Sequence, residues 1–305
     1  MSSSGKLFEA LRRNGPGWLS RKAALHLTRR AEASATSWTR KLDYRTTSEA
    51  IYREAQALLS RNEIFRGRHA GRPAFVIGNG PSINEQDLRP LGQEITFVSN
   101  AFCLHPVVEE WQPTYYFLTD PVYYDGSETW LAHFRAIQER SLSSTFFVPF
   151  TAREYIERER LLPAEQTYYV ALAGNLAHDP DWQPDFTRVQ PDVRTVVQLA
   201  IMGAMFMGCS PIYLLGLDHD WLAHQGQYYT FYTAQTAEKH EWNYGDLMEA
   251  VLIMWRGYES IRRVAEARGI RIFNATRGGF LDVFERADYE AVLATGFSMN
   301  GGRGA

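Results

Sequence analysis

The sequence predicts an α/β protein, a doubly wound and mostly parallel sheet of Rossmann-like form, with a helical N-terminal extension. Three observations predict it. Short runs such as Ala74 to Ile77 and Ile212 to Leu215 are apolar at almost every position, which suits strands covered on both faces. Between such runs lie longer segments with apolar residues at helical spacing, the alternation of a parallel sheet with crossover helices. The apolar runs end in glycine or small polar residues: Gly78-Asn79-Gly80, Asn100, Asp120 and Gly216-Leu217-Asp218. In an open sheet of this kind the loops at the carboxyl ends of the strands meet along one edge, where ligands bind.

Each element follows in order. Residues 5–32 suit two short amphipathic helices broken at Gly15-Pro16-Gly17, and Ser34 to Ser37 reads as a linker. Thr47 to Asn62 places Ile51, Ala55, Leu58 and Leu59 on one helical face. After the basic loop Arg66 to Arg72 comes the strand Ala74 to Ile77, halted by glycines that accept unusual backbone angles. Pro81 suits a first helical turn, and Ser82 caps a short helix over Asn84 to Leu91. This geometry leaves backbone N–H groups facing outward, as a phosphate requires. Strands are expected at Ile95 to Ser99, Tyr115 to Leu118, Thr145 to Pro149 and Thr167 to Leu172. Helices are expected at Glu128 to Arg140, with Trp130, Leu131, Phe134 and Ile137 inward, and at Ala152 to Arg160. Ala173 to Pro191, rich in Asp, Pro, Asn and Gly, reads as a long loop of the lid or binding type. Thr195 to Met207 is a buried helix stopped at Gly208, and it leads to the strand Ile212 to Leu215. Gln225 to His240 is a polar, tyrosine-rich loop. Asp246 to Arg268 is a long helix with Leu247, Val251, Met254, Tyr258, Ile261 and Ala265 along one face, before the last strand, Ile270 to Asn274. The organisation expected is a basic extension over 1–45, one α/β domain over 46–295 and a frayed tail over 296–305.

Composition bounds the function. With 45% hydrophobic and 22% charged residues in 305, the chain has the balance of a globular protein with a large core. Aromatic residues at 13% favour sites for sugars or bases as well as core packing. Cys103 and Cys209 both lie in apolar stretches and read as buried small hydrophobes, so a reducing, cytoplasmic compartment is expected. No run reaches the roughly 18 apolar residues of a membrane span, and no leader-type apolar region opens the sequence. Residues 1–45 hold ten Lys and Arg against three Asp and Glu, a net +7, so the remainder carries −10 of the chain's −3. An acidic body without a basic stripe excludes nucleic acid as a partner. A basic arm on such a body suits peripheral contact with an anionic inner-membrane face. The long helix leaves a homo-oligomer open.

Five segments in this order, Gly78-Asn79-Gly80-Pro81-Ser82, Ser99-Asn100, Pro113-Thr114-Tyr115-Tyr116, Gly216-Leu217-Asp218-His219 and Asn274-Ala275-Thr276-Arg277-Gly278-Gly279, resemble the MptE-like domain family over residues 72–285. That family takes its name from an archaeal 6-hydroxymethyl-dihydropterin pyrophosphokinase. The same layout resembles bacterial sialyltransferases of glycosyltransferase family 42, which share the Gly-Asn-Gly-Pro-Ser loop. The resemblance implies a variant GT-A fold and a glycosyltransferase that moves a CMP-activated acidic sugar to a surface-glycan or lipid-linked acceptor, with no tightly bound cofactor. It implies donor-binding roles for Gly78, Asn79, Gly80, Ser82 and Asn100. Asp120 stands where that family has an asparagine near the donor, an acid beside a phosphate. Tyr228 and Tyr229 match the tyrosines that hold the leaving phosphate, and His240 matches the general base.

The residues themselves keep alternatives open. Transfer to a hydroxyl needs a base that titrates near neutrality, which suits His240 or, directly at a strand end, His219 beside Asp218. Backbone N–H groups and tyrosine hydroxyls stabilise a leaving phosphate without metal. Asp218, His219, Asp220 and Asp120 are the residues that would gather a divalent cation, which the pyrophosphokinase alternative requires as magnesium with ATP. A non-catalytic nucleotide- or glycan-binding protein is the third reading.

Overall fold

The computed structural model describes residues 48–140, 143–179, 181–224, 227–228, 230–232, 238–239 and 243–294. Contacts divide the chain into two units, Met1–Glu49 and Ala50–Ala305, and the sheet lies in the second. The expected helices over 5–32, and the tail over 296–305, lie outside the described residues.

Eight strands form one sheet: β1 (Ala74–Ile77), β2 (Ile95–Ser99), β3 (Tyr115–Phe117), β4 (Thr145–Pro149), β5 (Thr167–Val170), β8 (Ile212–Leu215), β11 (Ile272–Asn274) and β12 (Glu285–Arg286). The short strands β6 (Leu172–Ala173) and β7 (Gln190–Pro191) pair with each other, as do β9 (Gln227–Tyr228) and β10 (Glu238–Lys239). The order in the main sheet is β12-β11-β8-β1-β2-β3-β4-β5, and every neighbouring pair is parallel. From β1 the chain winds outward through β5, then returns to the other side of β1 with β8. The switch point of the doubly wound sheet therefore lies between β1 and β8, where crevices open at the carboxyl edge.

Every residue of β1, β2 and β3 is buried, because helices cover both faces. On one face Val76, Phe97, Phe117 and Leu214 pack against the helices Val196–Phe206 and Tyr244–Ala267. On the other, Phe75, Ile77, Val98, Tyr116 and Phe146 meet Phe134 and Ile137 of the helix Glu128–Arg140 and Ile156 of the helix Arg153–Glu159. The helix Val196–Phe206 is buried along its whole length, and Gly208 follows it at φ +79°.

Three expectations are corrected. The helix expected over Asn84 to Leu91 is replaced by 3-10 turns at Pro81–Glu85 and Arg89–Gln93. Pro90 supplies no N–H, and Asp87 Oδ1 accepts from the Arg89 N–H at 3.1 Å, an alternative to helical pairing. The segment Ala173 to Pro191 is no lid. Trp182 and Phe186 are in the core, Trp182 Nε1 donates to Ser260 Oγ at 2.7 Å, and Phe186 O accepts from the buried Asn62. Finally, β12 and the helix Tyr289–Ala294 follow the last expected strand. Both residues of β12 are exposed, so no apolar pattern marks it.

Candidate functional site

The loops after β1 and β8 are locked together by their backbones. Gly78 N–H donates to Leu215 O at 2.8 Å, and Gly80 N–H donates to Gly216 O at 2.9 Å. Glycine is required for so close an approach. A Cβ on Gly78 would lie 2.5 Å from Gly216 O, and one on Gly80 would lie 1.8 Å from Asp218 Oδ2. Asp218, buried at the end of the β8 loop, accepts from Ser82 N–H at 3.1 Å and from Ser82 Oγ at 2.8 Å. Burial pushes its carboxyl pKa up, while the bonds from Ser82 pull it down. Ile83 N–H donates to Gly80 O.

These contacts engage most of the N–H groups expected to form an outward-facing cradle in the glycine loop. The N–H groups of Gly78, Gly80, Ser82 and Ile83 all serve the chain itself. Ser82 is neither a helix cap nor part of the crevice wall; it is the clasp that holds Asp218.

What faces the crevice is side-chain chemistry. A cavity of about 130 Å³ at the switch point is lined by Asn79, Gly80, Ser99 and Asn100 from β1 and β2, and by Gly216 to His219 from β8. Thr195, Val197, Trp221, Thr230 and Tyr232 complete it. Asn79 Nδ2 donates to Ser99 O at 2.9 Å, which aims the amide oxygen away from that strand. Asn79 Oδ1 and Asn100 Oδ1 are both buried and have no hydrogen-bond partner. Asn100 sits at φ +53°, with its carbonyl held by Tyr116 Oη at 2.6 Å. Asparagine tolerates that left-handed conformation better than most residues. The strap 230–232 is tied to the glycine loop, since Phe231 N–H donates to Asn79 O at 2.9 Å and Asn84 Nδ2 donates to Phe231 O at 3.2 Å. The Phe231 ring is buried edge-on against His105.

His219 lies in this wall at φ +48°, with its Nε2 and Tyr258 Oη 2.7 Å apart and Trp221 edge-on. Burial lowers its pKa to about 3, against a small opposing pull from Asp220. The ring is therefore neutral over the physiological range. Asp220 pairs through Oδ2 with His224 Nε2 at 2.9 Å, and its Oδ1 is buried without a partner.

Of the residues singled out from sequence, Asn79, Gly80, Asn100, Asp218 and His219 come together here. Gly78 and Ser82 stand behind the wall. Asp120 lines no part of this cavity; its Oδ1 accepts from Val122 N–H at 3.1 Å and caps its own turn. His240 and Tyr229 lie outside the described residues, and Tyr228 is described by backbone only. The cation set considered from sequence is dispersed among separate partners, and among the described residues no three His, Cys, Asp or Glu side chains converge. Sequence reasoning assigned no role to Ser99, Thr195, Val197, Trp221, Thr230 or Tyr232. Thr195 had one legible signal: a helix that leads into a parallel strand starts at the carboxyl edge of the sheet, where the crevice lies.

No known family model matches the chain. No curated protein matches it. Among solved structures it is similar to the MAf glycosyltransferase from Magnetospirillum magneticum AMB-1, with 15% identity and a TM-score of 0.47 over 79% of this chain. The chain spans 39% of the length of that protein. It is also similar to the sialyltransferase CstII from Campylobacter jejuni in complex with the substrate analogue CMP-3FNeuAc, with 12% identity and a TM-score of 0.43 over 71% of this chain and 86% of that one.

Proposed function

We propose that this chain is a glycosyltransferase that takes a sugar from a nucleotide-activated donor bound in the switch-point crevice. The observation that carries the reading is the pair of buried amide oxygens, Asn79 Oδ1 and Asn100 Oδ1, left without partners on two residues that line one cavity. An unpaired buried acceptor costs about 1–3 kcal/mol, so this wall is built for a ligand that brings donors. Ribose and sugar hydroxyls and the amino group of a base are such donors. Trp221 and Tyr232 add aromatic surface of the kind that receives sugars and bases. With the N–H groups of Gly78, Gly80 and Ser82 engaged, the positive pole for a phosphate is the N-terminal end of the helix Val196–Phe206, whose Thr195 and Val197 line the same cavity. The ordered motifs favour a CMP-linked acidic sugar as donor and a surface-glycan or lipid-linked hydroxyl as acceptor. His240 is the base in this reading, because a buried ring with a pKa near 3, as in His219, is too weak a base for work near neutrality.

The test is a thermal-shift panel of CMP, CDP, UDP, GDP, ADP and ATP, with and without magnesium. CMP is expected to raise the unfolding midpoint by mass action without metal, and Asn79→Ala and Asn100→Ala are each expected to weaken its binding tenfold or more. With the donor that binds, His240→Ala should lower kcat about 10²–10⁴-fold and leave the thermal shift intact. A magnesium-dependent shift with ATP alone would replace this reading by pyrophosphate transfer. Unchanged CMP binding in both asparagine variants would put the site elsewhere.

A further inference from the structure

His219 lines the crevice, and its ring is held from behind. Tyr258, on the long helix Tyr244–Ala267, is fully buried, with its ring edge-on to Phe284. Its hydroxyl makes one hydrogen bond among the described residues, with His219 Nε2 at 2.7 Å. A buried hydroxyl has a proton to place, and leaving it unpaired costs about 1–3 kcal/mol. Nε2 is the acceptor within reach, so Tyr258 donates and Nε2 carries no proton. The ring is neutral near neutrality, since burial lowers its pKa to about 3. A neutral imidazole has a single N–H, which is therefore on Nδ1. Nδ1 makes no hydrogen bond among the described residues and is not one of their enclosed polar atoms, so it opens to the crevice that His219 lines.

The same wall carries the positive pole of the helix Val196–Phe206. Gln198, in the first turn of that helix, donates through Nε2 to Met254 O at 2.8 Å, and a Cβ on Gly257 would lie 2.5 Å from that nitrogen. Gly257 precedes Tyr258, so the start of the helix packs against the turn that holds His219. The two carboxylates of the loop are occupied, Asp218 by Ser82 and Asp220 by His224. We propose that His219 binds phosphate: its Nδ1–H, fixed by Tyr258, donates to a phosphoryl oxygen of the nucleotide donor beside the N-terminal end of the helix Val196–Phe206. This rests on the donor reading above and assigns a role within the same site. As the sugar's bond to the phosphate oxygen breaks, that oxygen keeps the electron pair, and a donor already aimed at the phosphate stabilises the charge. The acceptor oxygen bonds to the sugar carbon and gives its proton to the base, so His219 stays neutral throughout, a neutral imidazole acting as donor. Tyr258 is a positioning residue.

Two measurements test this. Long-range 1H–15N NMR of the ligand-free chain, with His219 assigned by its loss in His219→Gln, should show a protonated Nδ1 and a bare Nε2, shifting toward the other tautomer in Tyr258→Phe. A protonated Nε2 in the parent would overturn the proposal whatever the ligand. The second measurement compares Kd for CMP and for cytidine by calorimetry. Glutamine puts its amide near the place of Nε2 and keeps the contact with Tyr258. Asparagine puts its amide nitrogen near the place of Nδ1 and tolerates the backbone there, at φ +48°. His219→Gln should weaken CMP tenfold or more and leave cytidine unchanged, while His219→Asn should stay within about threefold of the parent for both. A histidine that only supports the fold gives the reverse order, because glutamine keeps the buried bond and asparagine does not. That reverse order, or equal losses for CMP and cytidine, would overturn the proposal. If no nucleotide binds the parent, the donor reading fails and takes this one with it; if CMP binds and His219→Gln leaves it unchanged, this proposal alone fails.

Discussion

Replacing Gly80 with alanine tests whether the clasp between the β1 and β8 loops holds the crevice. The added Cβ would lie 1.8 Å from Asp218 Oδ2, 2.6 Å from Asp218 Cγ and 2.7 Å from Gly216 O. The carboxylate has to move, and it is held by the N–H and the hydroxyl of Ser82. Loss of hydrogen bonds to a charged group costs about 1.5–3 kcal/mol each, and residual overlap in a packed site adds about 1–3 kcal/mol. Part of this relaxes into the open cavity, so a net loss of about 3–5 kcal/mol is expected, a large share of the 5–15 kcal/mol of a typical domain. The assay is urea unfolding followed by tryptophan fluorescence with linear extrapolation. Asp218→Ala alone should cost about 2–3 kcal/mol through the unpaired Ser82 groups. On that background Gly80→Ala still meets Gly216 O but no longer the carboxylate, and its cost should fall to about 1–2 kcal/mol. The coupling of about 2 kcal/mol is the signature of direct contact. A cost for Gly80→Ala below about 1 kcal/mol, or one equal in both backgrounds, would refute the clasp.

Two further outcomes follow. His219 has a folded-state pKa of about 3, below its unfolded value near 6.5, so the unfolded chain takes up a proton first as pH falls. Its share of stability is therefore present above pH 6.5 and lost progressively toward pH 3. Between pH 7 and 5 the loss from this group is about 2 kcal/mol, and His219→Gln should flatten the pH dependence by that amount in paired urea titrations; an unchanged slope would mean that the ring is not buried neutral. Removal of residues 1–45, with their net +7, should release the chain from vesicles of anionic lipid at about 0.1 M salt and leave the Tm of the α/β unit unchanged; retained binding in a flotation assay would assign the contact elsewhere.

The α/β architecture was legible because its signals are local. A strand buried on both faces has to be apolar throughout, as β1 and β8 are, and a crossover helix has to show an apolar stripe, as Glu128–Arg140 does with Phe134 and Ile137. The turns after β1 and β2 were less legible. Asp87, Pro90 and the positive φ of Asn100 decide them, and their effect depends on which backbone groups the neighbouring loop leaves available. The two-residue β12 had no signal, because an exposed edge strand of that length has no face to bury.

A cavity lies where the strand ends were expected to converge, and what sequence order left undetermined there is the pairing across the switch point. Glycines after a strand permit two arrangements: N–H groups offered to a ligand, or N–H groups offered to the next loop. Sequence order does not distinguish them. Here Gly216 at φ +67° brings its carbonyl onto Gly80, and Asp218 takes Ser82, so the loop is closed by contacts 136 residues apart in sequence. With the N–H groups of Gly78, Gly80 and Ser82 engaged, the unpartnered side-chain acceptors on this wall are the amide oxygens of Asn79 and Asn100. The loop that reads as a phosphate cradle in sequence is, in three dimensions, tied to its neighbour through Gly80 and Ser82, and it carries Asn79 with its amide oxygen unpartnered.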